Sequence, residues 1–219
     1  MDRQTQELRD AHDVLAEVYV ERLTGLLDQM PIERAVLGLF SELVRDAGAG
    51  RPVGDLGCGT GRLAPYLEAQ GLTSRGVDLS PEMIRVARRD HPGHDFQVGD
   101  LRALPFGDAE LDGAVAWYSL MYLDPDDRAA AFAEIARVVK PGGFVATAYK
   151  VGDDTRRRGG QSLDLGIGFD VYWHSPAEVE QRFREAGFEV VFSAGRPADP
   201  DEVQPQGYLI ARRSDAAGQ

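Results

Sequence analysis

Cysteine is almost missing. Cys58 is the one thiol in 219 residues, so no intramolecular disulfide holds the chain. Positive charge is also scarce: 24 Lys and Arg face 36 Asp and Glu, a net charge of −12. A nucleic-acid binder shows a basic field, because phosphate neutralisation dominates its affinity. No apolar run is long enough to span a bilayer. The opening Met1-Asp2-Arg3-Gln4 is polar, without the basic and apolar stretches of a secretory signal. These absences point away from nucleic-acid and membrane partners and predict a cytoplasmic protein. The Arg156-Arg157-Arg158 run is a local exception, read as a solvated loop with an anion contact as the alternative.

What is present is a 43% hydrophobic content, which suits one domain over residues 1–219 with a substantial core. Val14, Leu15, Val18, Tyr19 and Leu23 recur at helical spacing. So do Ile32, Val36, Leu39, Phe40 and Leu43, between Pro31 and Gly48. Residues 1–48 therefore read as a helical cap. Strands are expected at 52–56, 74–77, 96–98, 113–117 and 144–149, with the last two strands at 189–192 and 208–211. Helices are expected from Gly61, from Ser80-Pro81, from Asp124-Pro125 and from Ser175-Pro176, the last three carrying N-cap and first-turn proline signals. Pro141-Gly142-Gly143 is expected to separate a helix from the fifth strand. Residues 50–149 form the predicted core, 150–174 an irregular lid, and 175–213 the C-terminal part of the sheet.

Such alternation implies a doubly wound α/β sheet, mostly parallel, with helices on both faces. Ligands bind beyond the carboxyl ends of such strands, near the switch in strand order. Asp55, Asp78, Asp100 and Tyr118 each follow one of the first four strands and should share that rim. The run Val53-Gly54-Asp55-Leu56-Gly57-Cys58-Gly59-Thr60-Gly61 supplies a glycine turn there. A dinucleotide fingerprint starting at Gly57 would need glycine where Arg62 stands. A phosphate loop starting at Gly54 would need lysine where Thr60 stands. A carboxylate at Asp55 suits a ligand with an ammonium group, and Asp78 is placed to accept ribose hydroxyls.

At this point the chain resembles the class I S-adenosylmethionine-dependent methyltransferases. The matching segments are Asp55–Gly61, Val77–Met83, Gly99-Asp100-Leu101, Leu104-Pro105-Phe106, Val139–Gly143 and Ala186-Gly187-Phe188. The resemblance implies a Rossmann-like seven-stranded sheet with an antiparallel last strand, and S-adenosyl-L-methionine as cofactor. It implies that Gly57, Cys58, Gly59 and Gly61 pass the methionine portion, that Asp78 holds the ribose, and that Leu79 and Met83 pack on the adenine. Asp100 and Leu101 would meet the adenine edge, and Trp117 and Tyr118 the sulfonium. Tyr19 is a candidate for closing on the cofactor carboxylate.

The expected reaction is in-line methyl transfer to an oxygen or nitrogen of a small metabolite. His174 is the preferred general base, with Tyr149 beside it and His12 as a weaker candidate. Tyr122, Tyr149, Trp173 and His174 are expected to line the acceptor pocket. Residues 1–30 and 150–172 are expected to choose the acceptor. Asp124, Asp126 and Asp127 read as a helix N-terminus, so no metal is expected. The competing readings are a nicotinamide-dependent oxidoreductase and a cofactor-binding module without turnover. The assembly is expected to be a monomer or homodimer.

Overall fold

The structure is a computed structural model that describes residues 2–160, 165–200 and 202–215. Positions 161–164 of the expected lid lie outside the described residues. Helix α1 (Arg3–Leu23) opens on Asp2, whose carboxylate accepts from the Thr5 N–H at 2.9 Å. A short 3-10 turn at Leu26–Gln29 leads into α2 (Pro31–Ala47). The remaining elements in chain order are β1 (Val53–Leu56), α3 (Ala64–Ala69), β2 (Ser74–Asp78), α4 (Pro81–Asp90), β3 (Asp95–Val98) and β4 (Leu111–Trp117). They are followed by α5 (Pro125–Val138), β5 (Val139–Lys150), β6 (Arg156–Gly159), β7 (Phe169–Tyr172), α6 (Pro176–Glu185), β8 (Phe188–Arg196) and β9 (Gln206–Arg213).

Seven strands form one sheet in the order β3-β2-β1-β4-β5-β9-β8. The first five are parallel, and β9 runs antiparallel to both β5 and β8. The order reverses between β1 and β4, which places the switch point beside the glycine turn. Strand periodicity divides the core into two layers. Leu56, Ala116, Val145 and Leu209 face α5 and α6, where Ile135 and Phe183 meet them. Val53, Val115, Ala146 and Ile210 face α2, where Leu37 and Phe40 are wholly buried. The caps follow the sequence signals. Ser80 Oγ accepts from the Met83 N–H at 3.0 Å, and Ser175 Oγ from the Glu178 N–H at 3.2 Å.

Three elements differ from expectation. The turn after Gly61 persists to Leu63, and α3 begins only at Ala64, with Pro65 in its first turn. Strand β5 starts directly after α5, so Pro141-Gly142-Gly143 sits inside it. Leu111 pairs with Val139 and Gly113 with Phe144, so the extra residues bulge out, with Gly142 at φ +75°. The segment after residue 150 is less irregular than its composition suggests, because β6 and β7 pair antiparallel. Its arginine run is β6 itself, and acids and an aromatic ring engage it. Arg158 reaches Asp170 at 2.9 Å, while Arg157 pairs with Asp153 at 2.7 Å and lies over the Trp173 ring at 4.1 Å. Phe169 and Val171 of β7 pack on α1 beside Leu15 and Met83.

Candidate active site

A cavity of about 530 Å³ lies over the carboxyl ends of the strands, covered by α1. The glycine turn forms its floor. The Gly57 and Cys58 N–H groups both donate to Val77 O, at 2.7 and 3.0 Å. Gly57 has φ +78°, and a Cβ there would collide with Ser119. Gly57, Cys58 and Gly59 line the cavity, but Gly61 does not. Gly61 (φ +77°) instead lets the turn close on Phe96, whose ring would lie 2.6 Å from an added Cβ. Gly61 is thus corrected from a cofactor contact to a packing position. Burial pushes the Cys58 thiol well above its usual range, so it is no nucleophile.

The acids expected on the rim are there. Asp78 accepts from the Gly59 N–H with Oδ2 at 2.8 Å and from the Ser80 N–H with Oδ1 at 2.9 Å. Burial raises its pKa, against the pull of His12. Asp55 is 1% exposed, and its Oδ2 has no hydrogen-bond partner in the protein. Burial pushes it up to about 7, with Arg62 opposing. Asp100 is clasped by Arg102, Nη2 to Oδ2 at 2.6 Å, and Arg102 also binds Asp127 at 2.8 Å. Leu79, Met83 and Leu101 line the cavity with Asp78 and Asp100, and Met83 is wholly buried.

Trp117 ends β4 and Tyr118 follows it, both at the cavity wall. Tyr118 takes φ +60°, a conformation rare for a bulky residue and a sign of local strain. Tyr19 and Tyr122 also line the cavity, with the His12 ring 6.0 and 4.9 Å from theirs. His12 lies at the cavity with its Nδ1 2.9 Å from Leu8 O, so Nδ1 donates and Nε2 is left free of that bond.

Tyr149, Trp173 and His174 do not line this cavity, which corrects the expected base and most of the acceptor pocket. The reason is strand parity. Tyr149 belongs to the layer facing α5 and α6, whereas Ala148 and Trp117 face α2. His174 sits behind the sheet, 4% exposed, with Nδ1 3.2 Å from Asp154 Oδ1 and 3.8 Å from Glu178 Oε2. Arg128, itself 1% exposed, bonds Asp154 at 2.7 and 2.9 Å and Glu178 at 2.5 Å. Burial and then Arg128 lower the His174 pKa, against Glu178 and Asp154. Ligand atoms of Asp154, His174 and Glu178 lie within 4.8 Å of one another, a metal-like spacing. The guanidinium of Arg128 already bridges the two carboxylates. Trp173 serves as the platform under Arg157.

Two features went unread in the sequence. Arg62 entered only as an obstacle to a glycine motif, yet it lines the cavity with its Nη1 buried and unpartnered. Its position directly after the third glycine was the available signal. The second is the outer wall. None of the described residues 151–172 lines the cavity; Leu23, Leu26 and Met30 do, with Lys150 and the Glu202–Gln206 stretch. Of the two segments expected to choose the acceptor, residues 1–30 line the cavity at several positions, and the described part of 150–172 does so only at Lys150.

An α-amino acid needs one buried anion and one buried cation, each with capacity to spare. Asp55 Oδ2 and Arg62 Nη1 are such a pair of orphans. With Asp78 for a ribose and an apolar slot at Leu79 and Met83, the residues fit S-adenosylmethionine. Residues 53–143 match a family model described as a methyltransferase domain. A malonyl-[acyl-carrier protein] O-methyltransferase from Erwinia billingiae is 33% identical over 159 residues, covering 67% of this chain and 62% of that protein. The O-methyltransferase cnsE from Penicillium expansum is 34% identical over 152 residues, covering 65% and 53%. The chain thus spans little more than half to three fifths of the length of these relatives. The structure of a DhpI–SAH complex shares the fold, with a TM-score of 0.72 and 22% identity over 97% of this chain and 98% of that one.

This chain carries a class I S-adenosylmethionine-dependent methyltransferase domain, matched over residues 53–143. Among the described residues no helix is long and apolar enough to cross a membrane.

Proposed function

We propose that this chain transfers a methyl group from S-adenosylmethionine to an oxygen of a small-molecule acceptor, in the cytoplasm. The observation that carries this reading is the pair Asp55 and Arg62, each with a buried polar atom unpartnered inside the protein, gathered with Asp78 at one cavity. When bound, the cofactor supplies a methyl group made electrophilic by its positive sulfur. The protein's part is therefore placement. Asp78, already oriented by two backbone N–H groups, accepts from the ribose hydroxyls. Asp55 ionises against the ammonium and Arg62 holds the carboxylate. Tyr19 stands beside Tyr122 at this wall, and Asp100 with Leu101 bounds the adenine end. Trp117, Tyr118 and Tyr122 border the place where an acceptor would meet the methyl group. Holding both partners in near-attack geometry is worth several kcal/mol, and about 7–11 kcal/mol in the best intramolecular cases.

Two named O-methyltransferases among the relatives support oxygen over nitrogen as the acceptor atom. The net charge of −12 weighs against a polyanionic acceptor. No observation favours the nicotinamide reading, since Arg62 occupies the third glycine position and a carboxylate, Asp55, lies where a pyrophosphate would be repelled. The test combines calorimetry with S-adenosylhomocysteine and a labelled-methyl screen of hydroxylated and amine-bearing metabolites. Absence of S-adenosylhomocysteine binding sinks the reading; label found only on nitrogen overturns the choice of oxygen.

A further inference from the structure

The cavity crosses more strands than a methyl donor occupies. Asp100, Asp78, Asp55 and Tyr118 stand at or near the carboxyl ends of β3, β2, β1 and β4, which accounts for the cofactor half. Beyond them in sheet order come β5 and β9. The cavity continues there, over Lys150 at the end of β5 and Gln204 and Gln206 at the start of β9. Lys150 shares the sheet face of Ala146 and Ala148 by strand alternation, the face that carries Trp117 and Tyr208.

The chain has only two lysines. Lys140 is paired with Asp112 at 2.9 Å, whereas Lys150 has no ion-pair or side-chain hydrogen-bond partner among the described residues. Glu202, the acid whose charge acts on it, is committed to Arg196 at 2.8 Å. Gln206, opposite Lys150 in register, has a buried Oε1 with no partner. Polar requirements are thus unmet at this end. The same cavity has apolar lining from Leu23, Leu26, Met30 and Val203, the last 84% exposed. The Lys150 ammonium is a compact point charge, which matches a monoanion such as a carboxylate; a phosphate more often recruits forked arginines or several donors.

We infer that the ends of β5 and β9 form the acceptor subsite, in which Lys150 anchors an ionised carboxylate of the methyl acceptor while its apolar body lies on Leu23, Leu26, Met30 and Val203. This deepens the methyltransferase reading, on which it rests for placing the donor over β1–β3. It makes Lys150 a specificity-determining residue for anionic amphiphilic acceptors.

The probes are octanoate and octanamide, titrated by calorimetry against the full chain with and without saturating S-adenosylhomocysteine. Octanoate should bind about tenfold or more tightly than octanamide, as expected for a charge-assisted contact. Lys150→Met should abolish that preference and Lys150→Arg should keep most of it. Affinity for S-adenosylhomocysteine and the melting temperature should stay as in the parent chain. Equal binding of the two probes, or a preference that survives in Lys150→Met, overturns the subsite. Because the preference is read without S-adenosylhomocysteine as well, failure of donor binding would strike the methyltransferase reading and leave this result interpretable.

Discussion

Two clusters of titratable side chains flank the central strands, and they behave oppositely. Behind the sheet, Arg128 bonds Asp154 and Glu178, and His174 closes the group. In front, Asp55 and Arg62 retain polar atoms that are buried and unpartnered. A buried charge without compensation costs several kcal/mol, so a fold keeps one only where something from outside will meet it. Arg128 compensates Asp154 and Glu178 within the protein, although His174 Nε2 is buried without a partner. The orphan atoms of Asp55 and Arg62 differ in lining the large cavity, which supports the binding role proposed for them.

The largest effect that would break this contrast is on stability. Arg128→Met leaves two carboxylates facing each other and should cost about 2–3 kcal/mol. That is less than the roughly 3–5 kcal/mol of a fully buried pair, because Asp154 and Glu178 stay partly wet. Denaturant unfolding should show the loss, while the folded variant binds S-adenosylhomocysteine normally. Next is Asp78→Ala, which removes the acceptor for the ribose and should weaken S-adenosylhomocysteine on the order of 100-fold by calorimetry. An unchanged affinity would dissolve the ribose assignment.

A smaller effect is set by pH. With its pKa near 7 before ligand arrives, Asp55 is increasingly protonated as pH falls, and it must release that proton to meet an ammonium. Affinity for S-adenosylhomocysteine should therefore drop up to about tenfold per unit below pH 7 and level off above it. Asp55→Asn should flatten that profile at a uniformly lower affinity. The smallest effect belongs to His174→Gln: methyl transfer should change by less than about threefold, whereas loss of a general base costs on the order of 100-fold or more. A drop of that size would return His174 to the reaction.

The sequence was most readable where a few consecutive residues carry their own geometry. Ser80-Pro81, Asp124-Pro125 and Ser175-Pro176 begin helices as expected, and the strand-end acids Asp55, Asp78 and Asp100 share one cavity. It was least readable at Tyr149, where one step along β5 separates the face of the cavity from the face of α5 and α6. It was equally silent on β6 and β7, whose pairing joins an arginine run to a segment more than ten residues away.

The chain by itself determined the alternation of strands and helices, the glycine turn and the acids after each strand. Caps, turns and periodicity are short-range, and they act within one or two turns of backbone. Which buried charges are satisfied was settled by long-range packing. Arg128 meets Glu178 across 50 positions, and Arg62 meets no partner at all for its Nη1. Whether a charge finds its complement depends on which faces of distant elements are pressed together, and that separated the residues that hold the molecule closed from those left open to a ligand.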